Sequence, residues 1–229
     1  MPAEPPTPTF VQDAVRRHWT GRAATYDNDG DHGLHSEAQR QAWLDLIQRW
    51  AGDKPLDALD VGCGTAFLAL QLARLGHRAV GVDSTAAMLT VARAKASQAG
   101  LGIDFRLADA AELPFAAASF DLLIERHVLW TLPDPAAALT EWARVLRPGG
   151  RLILIQHPGR DLGDIPAGSD YVPIRSSLPL FSGRPAAEIA PLVEAAGLAD
   201  PVVEPLTDEV LFGGPSERER YALLARKPR

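Results

Sequence analysis

A single cysteine, Cys63, stands in 229 residues. No intrachain disulfide can form. No Cys/His cluster is spaced for zinc, and the paired-cysteine spacings of iron–sulfur sites are absent, so no metal is expected. No stretch is long and apolar enough to span a membrane. Clustered basic residues are also scarce: Arg16-Arg17 and Arg226-Lys227 are short, and the net charge is −6. That balance disfavours non-specific binding to nucleic acid or an anionic membrane, both of which need concentrated Lys and Arg. The opening residues carry Pro2, Pro5, Pro6 and Pro8 but no basic start and apolar run of a signal peptide. The expectation is a cytoplasmic protein with a frayed N-terminal tail.

What is present is an alternation of periods. Residues 10–22 have helical spacing, 25–33 are polar and turn-rich, and Ser36 is placed to cap a helix over 36–50. From Pro55 strands and helices alternate. Strands are expected at 56–61, 78–82, 103–107, 120–124 and 151–156, with helices at 66–75, 85–99 and 136–146. Gly76 and Gly100 close the first two of those helices, and the turn 147–150 leads into strand five. Residues 157–184, rich in Gly, Pro and Ser, are too long for an idle connector and read as a lid. A helix over 185–196 and two late strands, 201–206 and 221–225, complete the chain. The fold class is α/β, with a Rossmann-like, seven-stranded, mostly parallel sheet and helices on both faces. Residues 1–54 are assigned to a tail and helical cap, and 55–229 to a cofactor-binding domain.

In an open parallel sheet, ligands bind beyond the carboxyl ends of the strands. Strands one to four end on Asp60, Asp83, Asp109 and Glu125. Four carboxylates around one cleft repel one another unless the ligand brings donors or positive charge. A dinucleotide brings a pyrophosphate, which belongs against the glycine turn and helix start after strand one. Asp60 sets an anion there, and no Lys or Arg follows to offset it. S-adenosylmethionine (SAM) has no phosphate; it has an ammonium, a sulfonium and ribose hydroxyls. Gly62 and Gly64 let the backbone approach it closely. Asp60 is expected to accept from the ammonium and Asp83 from both ribose hydroxyls. Asp109 with Ala110 is expected to meet adenine, with Met88 packing on it.

Five segments in register resemble the class I SAM-dependent methyltransferases, in the small-molecule branch similar to the ubiquinone and menaquinone biosynthesis enzymes. They are Leu59-Asp60-Val61-Gly62-Cys63-Gly64-Thr65, Gly81-Val82-Asp83-Ser84, and Leu107-Ala108-Asp109-Ala110-Ala111-Glu112-Leu113-Pro114-Phe115. The others are Phe120 to Ile124 with Leu132-Pro133-Asp134-Pro135, and Leu146-Arg147-Pro148-Gly149-Gly150. The resemblance implies SAM as cofactor, held by Tyr26, Asp60, Gly62, Cys63, Gly64, Asp83, Ser84, Met88, Asp109, Ala110, Glu125 and Arg126. One departure is Ala66, where the family usually has a third glycine; alanine suits a helix start.

His127 and His157 follow strands four and five. A histidine there can take a proton from the methyl acceptor, although methyl transfer can also proceed by alignment alone. The function expected is transfer of a methyl group from SAM to an O, N or C atom of a small molecule, by a monomer or homodimer. Two alternatives stay open: a SAM-binding protein without turnover, and an NAD-type oxidoreductase.

Overall fold

The hydroxyl of Thr7 accepts the N–H of Phe10 at 3.3 Å, and Pro8 fills a first-turn position where no donor is needed. They start helix α1, Pro8–Arg22. Ser36 caps α2, Glu37–Ala51, by accepting the N–H of Gln39 at 3.0 Å. The alternating stretch then runs β1 (Asp57–Val61), α3 (Phe67–Arg74), β2 (Arg78–Asp83), α4 (Ala86–Gln98), β3 (Asp104–Leu107), β4 (Phe120–Arg126), α5 (Pro135–Val145) and β5 (Leu146–Gln156). Next come α6 (Ala186–Ala195), β6 (Ala199–Pro205) and β7 (Tyr221–Arg226). This computed structural model describes residues 6–30, 32–158, 168–215 and 219–229. Part of the expected tail (1–5) and part of the expected lid (159–167) lie outside the described residues.

The strand bounds shift from the sequence expectation, and two of the shifts bear on the site. β4 runs two residues further, through Glu125 and Arg126, because its ladder with β5 continues to the pair Arg126–Ile155. β5 begins at Leu146, which pairs with Phe120, so the expected turn 147–150 is a bulged part of the strand.

The seven strands lie in the order β3-β2-β1-β4-β5-β7-β6. β1 to β5 pair in parallel; β7 is antiparallel to both β5 and β6. Strand order reverses between β1 and β4, and the crevice beyond their carboxyl ends is where such a sheet binds ligand.

Alternation along the strands sorts the core into two layers. Leu59, Val61, Leu123 and Leu154 face α5 and α6, with Trp142 and Val193. Ala58, Leu122, Ile124 and Ile153 face α2 and α3, with Trp43, Ile47, Phe67 and Leu68. α1 belongs to neither layer. Its Val11, Ala14 and Val15 pack with Tyr171, Ile174, Leu178 and Phe181, above the carboxyl edge of the sheet.

Candidate functional site

The turn after β1 is built on left-handed backbone. Gly62, Gly64 and Ala66 have φ of +62°, +53° and +70°. Gly62 has no alternative: a Cβ there would run into the methyl of Val128. At Gly64 a Cβ would meet only the Tyr26 ring, at 3.7 Å, so this glycine faces open space below the N-terminal segment. Ala66 is the correction to the sequence reading. It is the N-cap of α3 in the αL region rather than a residue of the helix, so glycine at this position would remove strain that alanine keeps.

A cavity of about 1040 Å³ opens at this turn. Its floor is the ends of β1, β2 and β4, and its roof is α1 with residues 169–182. Tyr26, Gly62, Gly64, Asp83, Ser84, Met88, Asp109, Ala110, Arg126, His127 and His157 all line it. The volume is at the upper end of the ~300–1,000 Å³ typical of ligand pockets, room for a cofactor and a second small molecule.

Asp83 is held by the glycine turn itself. Its Oδ2 accepts the N–H of Gly64 at 2.9 Å and its Oδ1 that of Thr85 at 2.8 Å. Burial raises its affinity for a proton above the usual carboxylate range, against the pull of those two N–H groups. Each oxygen keeps a lone pair for further donors. Asp109 is arranged alike: Oδ1 accepts Ala111 N–H at 2.8 Å, and Oδ2 accepts the side-chain amide of Gln12 at 2.9 Å.

Three residues of the sequence-read set do not line the cavity. Asp60 lies on the α3 side of β1, the same side as Ala58, because side chains alternate along a strand. It is 1% exposed, and its Oδ2 accepts the N–H of Ala69 at 2.9 Å. Burial pushes its pKa up to about 8, so near neutral pH it largely keeps its proton. It is a brace under the helix start. Glu125 points to the opposite layer and is fully buried. It accepts Val128 N–H at 2.8 Å and the Gln156 amide at 2.5 Å, and burial lifts its pKa to about 7. It holds the loop after β4. The buried Cys63 thiol packs with Leu70, Leu89 and Phe105, and burial pushes its pKa up. The four-acid rim expected from the sequence therefore reduces to Asp83 and Asp109.

Arg126 has two duties. Its guanidinium lies 3.7 Å from the centre of the Phe67 ring and donates to the His32 carbonyl at 3.1 Å. His127 follows it at φ +64°, a strained conformation for a residue with a side chain. Its ring centre is 5.3 Å from that of His157. Burial, then the positive field of Arg126, holds His127 well below the ordinary histidine range, so it is neutral at physiological pH.

Sequence reading named Tyr26, a helical cap and a lid, but few of the side chains that form the roof. Tyr26 stacks on His32 at 4.2 Å with rings nearly parallel, and its neighbour Asp27 accepts from Thr65 at 2.6 Å and Lys95 at 2.8 Å. Gln12, Trp19, Arg22, Tyr171, Phe181 and Arg220 also line the cavity. An amphipathic pattern shows that α1 packs on something; it carries no record of which surface α1 covers.

With this geometry in view, the relatives can be stated. Residues 59–154 match the family described as a methyltransferase domain. The chain is similar to a ubiquinone biosynthesis O-methyltransferase of Cereibacter sphaeroides, 40% identical over 98 residues, covering 43% of this chain and 40% of that one. It is also similar to the ubiquinone/menaquinone biosynthesis C-methyltransferase of Bdellovibrio bacteriovorus, 34% identical over 148 residues, 62% of this chain and 61% of that one. The match thus spans less than two thirds of either relative. Among solved structures, the 1,6-didemethyltoxoflavin-N1-methyltransferase of Burkholderia thailandensis shares the fold with a TM-score of 0.70 at 20% identity, covering 100% of this chain and 94% of that one. The [4+2]-cyclase SpnF shares it with a TM-score of 0.69 at 24% identity, over 99% of each chain. A fold shared by a transferase and a cyclase does not choose the chemistry; the site must.

Proposed function

We propose that this chain, whose residues 59–154 match a methyltransferase domain, transfers the methyl group of SAM to an O, N or C atom of a small molecule. The observation that carries the reading is one cavity with two chemically different halves. Asp83 and Asp109 line one, and the neutral His127 with His157 lines the other.

The acidic half suits SAM. Asp83 and Asp109 would accept from its ribose and adenine, Met88 and Ala110 would border the base, and Tyr26 and Gly64 would frame the methionine end. A dinucleotide fits poorly. Its pyrophosphate would need the N–H groups at the start of α3, and Asp60 already takes that of Ala69. When bound, SAM supplies an electrophilic methyl carbon on a positive sulfur, which keeps the bonding pair as the methyl leaves.

The chain's own part is placement and the proton. The Glu125–Val128 bond fixes the loop that presents His127. A neutral imidazole in the acceptor half can take the proton of an acceptor hydroxyl or amine. α1 and residues 169–182 cover the cavity and exclude water, which favours transfer within an aligned pair. The enclosure supports a small acceptor.

Isothermal titration tests the reading. The protein should bind SAM and its demethylated product S-adenosylhomocysteine, and not NAD. Binding of NAD alone would overturn it, and turnover with any acceptor would exclude a binding protein without catalysis.

A further inference from the structure

Three segments far apart in sequence converge on one carboxylate beside the cavity. Asp27 follows the roof residue Tyr26. Its Oδ1 accepts the hydroxyl of Thr65 at 2.6 Å, and its Oδ2 accepts from the ammonium of Lys95 at 2.8 Å. Lys95 Nζ also donates to Thr65 Oγ1 at 3.3 Å. Thr65 lies in the glycine turn, between Gly64 and Ala66, and is buried. The three groups close a triangle. The hydroxyl gives its proton to the carboxylate and accepts from the ammonium, and the ammonium neutralises the carboxylate. None of the three lines the cavity.

Helix α4 sets Lys95 in place. Its Leu89, Ala92 and Ala96 pack in a cluster with Cys63, Ala66 and Leu70, beside the glycine turn. Lys95 adjoins Ala96 at the edge of that face. What the triangle holds is Tyr26. A Cβ on Gly64 would lie 3.7 Å from the Tyr26 ring, which stacks on His32 at 4.2 Å and meets Trp19 edge-on at 5.8 Å. Beyond Tyr26, Arg126 donates to the His32 carbonyl at 3.1 Å. The chain is thus pinned at Asp27 from α4 and at His32 from the end of β4, with the Tyr26 ring over the turn. The Asp27 and Lys95 side chains are 33% and 30% exposed. A pair that open adds little to global stability, so its consequence is local.

We infer that Lys95 is a positioning residue for the cofactor. Through Asp27 it holds the Tyr26 ring against the glycine turn, so the wall at the methionine end stands before SAM arrives. A wall already in place is not ordered at the expense of binding. The inference rests on the methyltransferase reading and extends its cofactor site to a side chain outside the cavity.

Calorimetric titration of the full chain with S-adenosylhomocysteine is the test. Lys95→Met keeps the stem and removes the charge. It should weaken binding about fivefold, at the upper end for a partly exposed ion pair. Lys95→Arg restores the charge and should bring affinity back to within about twofold of the wild type. Asp27→Asn keeps an oxygen for Thr65, breaks the ion pair from the other side and should reproduce the Lys95→Met loss. In a Tyr26→Ala chain, titrated to millimolar ligand, Lys95→Met should cost nothing further, because the ring it holds is gone. The melting temperature of the unliganded Lys95→Met chain should stay within about 2 °C of the wild type. Unchanged affinity in Lys95→Met would overturn the inference. So would a loss that arginine does not rescue, or the same fivefold loss in the Tyr26→Ala chain. A melting temperature lowered by about 5 °C or more would also overturn it, by making Lys95 a residue of fold stability. Failure of the wild type to bind S-adenosylhomocysteine would instead overturn the methyltransferase reading.

Discussion

Gln12 and Asp109, 97 positions apart, meet side chain to side chain: the amide Nε2 donates to Oδ2 at 2.9 Å. The bond ties α1 to the loop after β3 and closes the cavity from above. It acts as a clasp on whatever lies beneath. Gln12→Ala should speed dissociation of S-adenosylhomocysteine several-fold, in line with about 1 kcal/mol for a partly exposed hydrogen bond. Stopped-flow displacement measures it, and an unaltered off-rate would remove the clasp from the account.

Asp83 serves two backbone donors and, in the proposed site, the ribose hydroxyls. Asp83→Ala should weaken S-adenosylhomocysteine binding at least tenfold and cost stability of about 1–3 kcal/mol, because the N–H groups of Gly64 and Thr85 lose their partner. Asp83→Asn keeps one acceptor oxygen and should cost less of both. Burial raises the proton affinity of Asp83, and hydroxyl donors and a cationic ligand favour its ionised form. Binding of SAM should therefore release protons and tighten as pH rises. Titrations in buffers of different ionisation enthalpy read the proton count directly.

Asp60 gives stability a pH slope. Its folded pKa of about 8 stands above its ordinary 3.8. Between those values the folded chain holds a proton that the unfolded chain has released, so raising pH through this window lowers stability. Below 3.8 both states are protonated and the penalty is absent. The slope from this one group is at most about 1.4 kcal/mol per pH unit. Asp60→Asn retains an oxygen for the Ala69 N–H and has no proton to lose. Urea unfolding at pH 5 and pH 8 should show a smaller loss of stability in the variant than in the wild type.

Gly62 and Ala66 share a left-handed backbone and differ in what surrounds them. Gly62→Ala drives a methyl into Val128 and should cost 2 kcal/mol or more, at the level of ~1–3 kcal/mol for overpacking plus φ strain. Ala66→Gly relieves roughly 1–2 kcal/mol of αL strain. It also gives up a buried methyl worth about 0.8 kcal/mol and loosens the unfolded chain. The net should lie within about 1 kcal/mol of the wild type by thermal unfolding, with cofactor binding kept. A large loss for Ala66→Gly would mean that the methyl packs more than it strains.

His127 is neutral because burial and the Arg126 charge hold its pKa well below the ordinary range. A base in that state shows no loss of kcat/KM as pH falls from 7.5 to 6. His127→Asn should reduce kcat by a factor of about 10²–10⁴ if the proton transfer is rate-contributing, the usual span for general base catalysis. A loss seen only in KM would assign His127 to positioning.

The order of strands and helices was legible because its signals are local: period-two runs, helical spacing, Ser36 as a cap, glycines at helix ends. That the glycine turn, Asp83 and Asp109 line the cavity was legible for the same reason, since the crevice at strand ends falls at fixed places along the chain. The list of strand-end acids was too generous. Asp60, Glu125 and Cys63 belong to the right segments and face away, into the layers on either side of the sheet. Strand alternation contains that information for Asp60, one residue from Val61, once it is known which layer is filled by α3 and which by α5.

The sequence by itself determined the sheet, the glycine turn after β1 and the carboxylate that ends β2, because these rest on backbone periodicity and on glycine where φ is positive. The tertiary structure decided the cavity wall around His127 and His157. Gln12 and Trp19 on α1, Trp130 in the loop after β4 and Tyr171 in residues 169–182 join His127 and His157 there, and no local pattern relates these segments. They meet only when α1 folds over the sheet edge and the loop after β4 is pulled down by Glu125, because burial and unmet polar atoms are properties of packing and have no period along the chain.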